Sequence, residues 1–444
     1  MQYDRIANTK ITRRRLTQGL AASPLALSGL GLGAARVAAQ DPTIIKFWTH
    51  THPPMVDQNE AMIATFQADN PDIGIEYQII PNMEFGTKML TSMGTGTGPD
   101  IINMDDNAMR SVYIPRSLVQ EVDPVGMGFA SLEELQAKYL PGALDGATSV
   151  DGKIYGVPSE YNVTAFVINT AAFEEAGLDP ASPPKTWEEV GEMGQKLVVM
   201  DGDTMTRRGF DFLYLHAGWY HNQLGTLLLQ TGGQVVADDG TTVTVADPES
   251  VAALQIWYDM IYKYKIADPN IASREATVPY QDFIDGKVAM SLMNPWGMGF
   301  MTADTAIGDN WAIVPLPQVN PDAGVNPLYA YYWSLNAQTT DEAKKNAASK
   351  FVGYLSSEPG EWLKNVDFIQ PVVGWASSPE AAEFQFGPVW ESEMTKGKFL
   401  PLTPQGEEVD NIMMQAIELS LLSGVEPQEA LDGAKGQIEA AIAS

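Results

Sequence analysis

Two histidines one residue apart, His50 and His52, and three consecutive polar residues, Asp105, Asp106 and Asn107, are the clusters in this chain whose types could do chemistry. A His-x-His pair at a strand end can turn two imidazoles toward one metal ion, with Asp105 completing a hydrolytic site and His216 and His221 as distant candidates. The plainer use of the same groups is hydrogen bonding at the rim of a cleft. No HExxH stretch and no Ser-His-Asp pattern accompanies them. Asp105 and Asp106 are adjacent, whereas an acid/base pair acting across a bond needs carboxyls about 5 to 9.5 Å apart. Aromatic residues crowd the other strand ends and crossovers: Tyr161, Trp219, Tyr220, Trp296, Tyr331, Tyr332, Trp333 and Trp375, with the amides of Asn162 and Asn294 among them. Aromatic faces offer flat apolar contact to the C–H faces of a pyranose, and carboxylates and amides bind its hydroxyls. These residues describe a binding surface with no cofactor and no catalytic role, rather than an enzyme. Trp48, inside a strand, belongs to the core.

The elements that must position these groups alternate between strand and helix. Thr43 to Trp48 has the pattern of a buried strand, and Met55, Met62, Ile63 and Phe66 recur at helical spacing until Asn70-Pro71 stops the helix. Ile73 to Ile80 alternates as a second strand, a helix follows from about Phe85, and Pro99 to Asn103 begins a third strand. This is a βαβαβ half of an open parallel sheet, in which ligands bind beyond the carboxyl ends of the strands. His50, His52 and Asp105 to Asn107 then stand at the mouth of one cleft. Later helices are marked by Thr186 to Glu189, with capping-box spacing, by Asp247-Pro248-Glu249, and by Thr340-Asp341-Glu342, with Pro359 ending the last of these. Residues 407 to 444 divide into two helices near Gly424 to Pro427.

Composition narrows the class. The chain has 444 residues, no cysteine and a net charge of −29. Thr12-Arg13-Arg14-Arg15-Leu16, a weakly apolar stretch and Val37-Ala38-Ala39 make residues 1–39 a twin-arginine export signal cleaved after Ala39. That segment holds six basic residues and one acid, so the remaining 405 residues carry 21 basic and 55 acidic side chains, a net of −34. Such a charge repels nucleic acid and anionic membrane surfaces and leaves open a cationic ligand such as a polyamine. The expected product is an exported, soluble, periplasmic monomer whose stability comes from its core rather than from disulfides.

An ordered set of phrases runs through the exported part: Gly98-Pro99-Asp100-Ile101-Ile102, Asp151 to Pro158, Ala172 to Leu178, Pro184 to Glu189, Gln230 to Gly233, Phe283 to Met290, Asn294-Pro295-Trp296 and Val314 to Pro317. Together they resemble the family 1 extracellular solute-binding proteins, the maltose-binding-protein-like receptors of ABC importers. The resemblance implies an α/β, two-lobed periplasmic-binding-protein fold. Each lobe would be a mainly parallel sheet flanked by helices, with a ligand cleft between them. Residues 41–159 plus 333–369 would form the N-lobe and 160–332 plus 370–444 the C-lobe, joined by crossovers near 158–167, 329–335 and 368–375. It implies capture of a monosaccharide, short oligosaccharide or polyol by hinge closure and delivery to a membrane-embedded ABC permease. Asp105, Asp106 and Tyr161-Asn162 fall where relatives place polar ligand contacts. Trp296 matches the family's stacking tryptophan, with Asn294 in place of the usual glycine. Ile168-Asn169 replaces the usual Tyr-Asn, and Tyr331-Tyr332 stand where many relatives carry paired glycines, which favours a small ligand.

Overall fold

β-Branched and aromatic residues with no interior proline or glycine make Thr43–His50 the first strand, β1, and its inward residues Ile45 and Phe47 are fully buried. The computed structural model describes residues 41–211, 217–237, 239–269, 280–401 and 405–443, without the side chains of residues 82, 83, 217–222 and 407. The proposed signal, residues 1–39, lies outside them. The other strands, in chain order, are β2 (Ile73–Ile80), β3 (Ile101–Asp105), β4 (Val157–Val163), β5 (Ala165–Asn169), β6 (Val199–Asp201), β7 (Thr204–Arg207), β8 (Met290–Met293), β9 (Trp311–Val314), β10 (Asn326–Leu335) and β11 (Gly397–Phe399).

The larger sheet has the order β11-β10-β3-β1-β2, with β4 also paired to β10. β1 runs parallel to β2 and to β3, as the βαβαβ reading requires. The intervening Pro53–Asp69 helix buries Met55, Met62, Ile63 and Phe66 and ends at Asn70, whose N–H bonds the Phe66 carbonyl. β10 enters antiparallel to both β3 and β4.

The second sheet, β8-β5-β9, corrects the expectation of a mainly parallel sheet in each lobe, because both of its pairings are antiparallel. Parallel direction is enforced by a compact βαβ crossover. β5 meets β8 and β9 only after more than a hundred residues of intervening chain, so no such unit constrains it.

Helix ends mostly follow their local signals. Thr186 Oγ1 accepts from Glu189 N at 3.1 Å, and Glu189 reaches back to Lys185 N at 2.6 Å, one residue before the ideal capping-box partner. Asp341 caps Lys344 N. Asp247 precedes its helix without a side-chain cap bond, so Pro248 and the Glu249 charge mark that start instead. Pro359 opens a further helix, Pro359–Val366, after the Glu342–Leu355 helix has already ended. The terminal helices, Gly406–Ser423 and Pro427–Ala443, divide at Gly424, which takes φ +74°.

The chain leaves the larger sheet for the smaller one at Thr164, between β4 and β5. β10 runs back beside β4, and Ile369 lies against β4, its carbonyl accepting from Tyr161 N at 2.9 Å. One core gathers around Phe47, Met89, Ile101, Tyr332, Phe351 and Trp362, and a second around Phe166, Trp187, Phe210, Leu254 and Trp257.

Candidate binding site

Cross-strand partners in a sheet share a face, so the pairing of β10 decides which side chains meet. Tyr331 is opposite Asp105 on β3 and opposite Glu160 on β4. A carboxyl, a phenol and a carboxyl therefore stand in one row across three strands. Two residues along, Tyr329 is opposite Asn162, which places a second phenol and an amide on the same face. The ladder shifts register between Tyr331 and Tyr332, where β4 accommodates Ser159 as an extra residue bonded by Asn103 Nδ2 at 2.8 Å.

Two loops close over this row. His50, at the end of β1, has its ring 5.1 Å from Tyr331 and 5.8 Å from Phe85. His52, just before the Pro53–Asp69 helix, stacks on Phe368 at 5.3 Å and meets the edges of Trp296 and Phe300 at 6.1 and 6.5 Å. Trp296 comes from the opposite side, in the 3-10 turn Pro295–Phe300 that follows β8. Its indole N–H donates to the Tyr329 hydroxyl, and Tyr280 lies 5.6 Å away. The departure at Asn294 has a structural use: Nδ2 donates to the Val163 carbonyl at 3.0 Å and to Thr164 Oγ1 at 3.3 Å, tying the tryptophan turn to the crossing.

Burial controls the charge of these groups. It lowers His50 to about 3, with His52 adding a smaller repulsion, and lowers His52 to about 4, so both imidazoles are neutral near pH 7. Burial raises Glu160 to about 8, with the neighbouring Asn162 opposing the rise. Asp367, which faces the Trp296–Phe300 turn with Oδ2 3.8 Å from the place a Cβ on Gly299 would take, is raised to about 6 for the same reason. Several buried polar atoms here have no hydrogen-bond partner of accepted geometry: His50 Nδ1, His52 Nε2, Glu160 Oε2, Asn162 Nδ2 and both ends of the Gln370 amide. An unpartnered buried polar atom costs about 1 to 3 kcal/mol. Together these atoms include both donors and acceptors, set beside aromatic rings.

The remaining candidates are placed differently. Asp106 is consumed internally: Oδ1 accepts from Ala330 N at 3.1 Å and Oδ2 from Arg110 at 2.8 Å, while burial raises it to about 6 against the pull of Arg110. Asp105 caps the short helix after β3 through Ala108 N at 2.9 Å and is half-buried in the row. Asn107 is half-buried, its carbonyl accepting from Ser111 Oγ at 2.6 Å. Tyr161, between Glu160 and Asn162, points to the other face of β4, toward Phe399 at 6.0 Å. Tyr332 also turns away from the row, fully buried, with its hydroxyl on the Ala143 carbonyl at 2.8 Å. Gly146 leaves room for it, since a Cβ there would lie 2.5 Å from that hydroxyl. The bulk expected from a Tyr331-Tyr332 pair thus comes from Tyr331 alone. Trp333 packs on Trp362 at 5.4 Å and Trp375 is buried in the same core. The side chains of Trp219 and Tyr220, and those of His216 and His221, lie outside the described residues. Among the described residues, no three His, Asp or Glu side chains gather closely enough to hold a metal ion.

Glu160, Tyr329, Tyr280, Phe300, Phe368 and Gln370 are additions that sequence reasoning missed. The one available signal was the alternation of Glu160 and Asn162 around Tyr161, which cannot be oriented until the strand partner is known.

The chain belongs to the family of bacterial extracellular solute-binding proteins, whose family model matches residues 53–362. It is 26% identical over 285 residues to the arabinooligosaccharide-binding protein of Halalkalibacterium halodurans, a match spanning 62% of this chain and 59% of that relative. Its fold is similar to that of an ABC transporter solute-binding protein from Thermotoga lettingae TMO solved with α-D-tagatose, with TM-score 0.76, 19% identity and coverage of 90% of this chain and 100% of that one. It is also similar to the cyclic α-maltosyl-1,6-maltose-binding protein of Arthrobacter globiformis, with TM-score 0.71, 24% identity and coverage of 90% and 99%. The fold is therefore the two-lobed solute-binding architecture. No helix among the described residues is long and apolar enough to cross a membrane.

Proposed function

We propose that this chain is an extracytoplasmic receptor that captures a monosaccharide, short oligosaccharide or polyol and delivers it to a membrane-embedded ABC permease. The observation that carries the reading is the set of unpartnered atoms on His50, His52, Glu160, Asn162 and Gln370 beside the rings of Tyr329, Tyr331 and Trp296. Hydroxyls donate and accept, and the C–H faces of a sugar lie flat on aromatic rings. The sugar-binding and oligosaccharide-binding names of the relatives support the same cargo.

In this reading residues 1–39 are a twin-arginine signal, the exported chain is a periplasmic monomer, and the lobes are 41–159 plus 333–369 and 160–332 plus 370–444. Capture works by hinge closure, because a ligand shifts the population only as far as it binds the closed state better than the open one. A change from mostly open to mostly closed takes about 5.5 kcal/mol. Roughly half a dozen hydrogen bonds and ring contacts of about 1 kcal/mol each supply it. The test is a thermal-shift and calorimetric screen against sugars and polyols, in which one class gives a saturable rise in unfolding temperature. A screen in which no carbohydrate binds, while another solute class does, rejects the cargo.

A further inference from the structure

We infer that Asn294 is a positioning residue: it couples the placement of Trp296 to the conformation of the crossing at Thr164, so that contact at the tryptophan and bending between the sheets act on each other. This rests on the reading of Trp296 as a solute-contacting ring and names the route from that ring to the crossing.

Thr164 is the single residue between β4 of the larger sheet and β5 of the smaller one. It is gripped from two directions. Asn326, at the start of β10, accepts from Thr164 N at 3.0 Å and donates to the Thr164 carbonyl at 2.6 Å. Asn294, directly after β8, donates to the Val163 carbonyl at 3.0 Å and to Thr164 Oγ1 at 3.3 Å. All three residues are buried, where a lost bond is not simply exchanged for one to water.

Two residues past Asn294, Trp296 donates its indole N–H to the Tyr329 hydroxyl, and Tyr329 lies on β10 three residues past Asn326. The contacts therefore form a closed ring: Asn294 to Thr164, Thr164 to Asn326, along β10 to Tyr329, and through Trp296 back to Asn294. The helix Gly387–Met394 braces the ring twice. Its Glu393 accepts from Asn326 Nδ2 at 2.7 Å, and its Trp390 donates to Met298 Sδ at 3.4 Å, in the Pro295–Phe300 turn that carries Trp296.

A 3-10 turn opening on proline has little internal hydrogen bonding to fix its path, so its anchors set where Trp296 stands. Asn294 is one of them. A change of backbone at Thr164 moves the Val163 carbonyl, and Asn294 must follow or lose its bond. Displacement of Trp296 is felt at Thr164 in turn, since coupling between two places is reciprocal. The anchors of the turn carry this coupling, whatever else touches the ring.

The test follows the indole N–H signals of the ten tryptophans in the ligand-free, isotope-labelled protein, with Trp296 assigned as the signal lost in Trp296→Phe. Thr164→Val, far from the turn in sequence, removes one acceptor of Asn294 and keeps the backbone bonds to Asn326. It should speed solvent exchange of the Trp296 N–H about threefold or more, and Asn294→Ala about fivefold or more. With Asn294→Ala already present, Thr164→Val should add nothing. The Trp362 N–H, bonded to the Leu355 carbonyl at 2.9 Å in the first core, should keep its rate in all three variants. An unchanged Trp296 rate in Thr164→Val overturns the coupling, as do effects that multiply in the double variant. Trp296 and Trp362 accelerating together show a loss of stability alone and overturn it too. Thr164→Val decides by itself should Asn294→Ala fold poorly. Solute contact is tested separately by affinity in Trp296→Ala, so either reading can fail while the other stands.

Discussion

Two buried polar clusters share strand β10, and they differ in how their hydrogen bonds are spent. At the start of the strand Asn326 is completely engaged: Oδ1 accepts from Thr164 N at 3.0 Å, and Nδ2 donates to the Thr164 carbonyl at 2.6 Å and to Glu393 at 2.7 Å. Lys396 completes Glu393 at 2.7 Å. Five residues further on, Tyr331 stands between Asp105 and a Glu160 that keeps an unpartnered oxygen. Both clusters lie where the chain crosses between sheets. The first closes on itself and holds the geometry of the crossing at Thr164. The second keeps donors and acceptors without a hydrogen-bond partner. Burial alone does not separate the two clusters; satisfaction does.

The largest effect should come from breaking the closed cluster. Asn326→Ala leaves both backbone groups of Thr164 and one oxygen of buried Glu393 without partners, and the expected loss is about 3 to 5 kcal/mol in denaturant unfolding. A loss under about 1 kcal/mol would mean that the crossing is held by other contacts. In the open cluster, Trp296→Ala removes a ring face and the bond to Tyr329, and solute affinity should fall about 10- to 100-fold by calorimetry, corresponding to about 1.4 to 2.8 kcal/mol. Unchanged affinity would place the solute away from this ring.

A smaller effect is a dependence on pH. A Glu160 raised to about 8 keeps a proton that the unfolded chain has released, so its contribution to stability is lost as pH rises toward 8. The buried histidines, lowered to about 3 and 4, and Asp106 and Asp367, raised to about 6, act mainly below pH 6.5. Between pH 6.5 and 8 Glu160 should therefore remove up to about 1.4 kcal/mol of stability per pH unit, opposed near pH 8 by Lys138, which burial lowers to about 8. Glu160→Gln should flatten that slope, and a flat wild-type profile would show that Glu160 is already compensated. The smallest effect contrasts neighbours: Tyr332→Phe should cost about 1 kcal/mol of stability and leave binding unchanged, while Tyr331→Phe should do the reverse. Equal effects in both would dissolve the distinction between the two faces of β10.

Much of this molecule is written locally. The β1-helix-β2-helix-β3 unit, the Thr186 and Asp341 caps and the break at Gly424 each depend on residues a few positions apart, where side-chain period and capping chemistry act directly. Trp296, Tyr331 and Asn162 were likewise legible as candidates, since their chemistry suits a binding surface wherever the chain puts them. Their orientation was not. Asp106 looked like a companion of Asp105 but spends both oxygens on Ala330 N and Arg110. Tyr161 was preferred to Glu160, although in a strand adjacent residues face opposite sides and the partner strand selects between them.

That selection required β10, more than 160 residues away from β4 and more than 220 from β3, to enter antiparallel between them. The amino-acid sequence by itself determined the family, the alternating elements and the kinds of groups available for binding. Only the tertiary structure decided which of them face one another. The register of long-range strand pairing is set by the packing of whole surfaces, and a shift of one residue would exchange Glu160 for Tyr161 at the row.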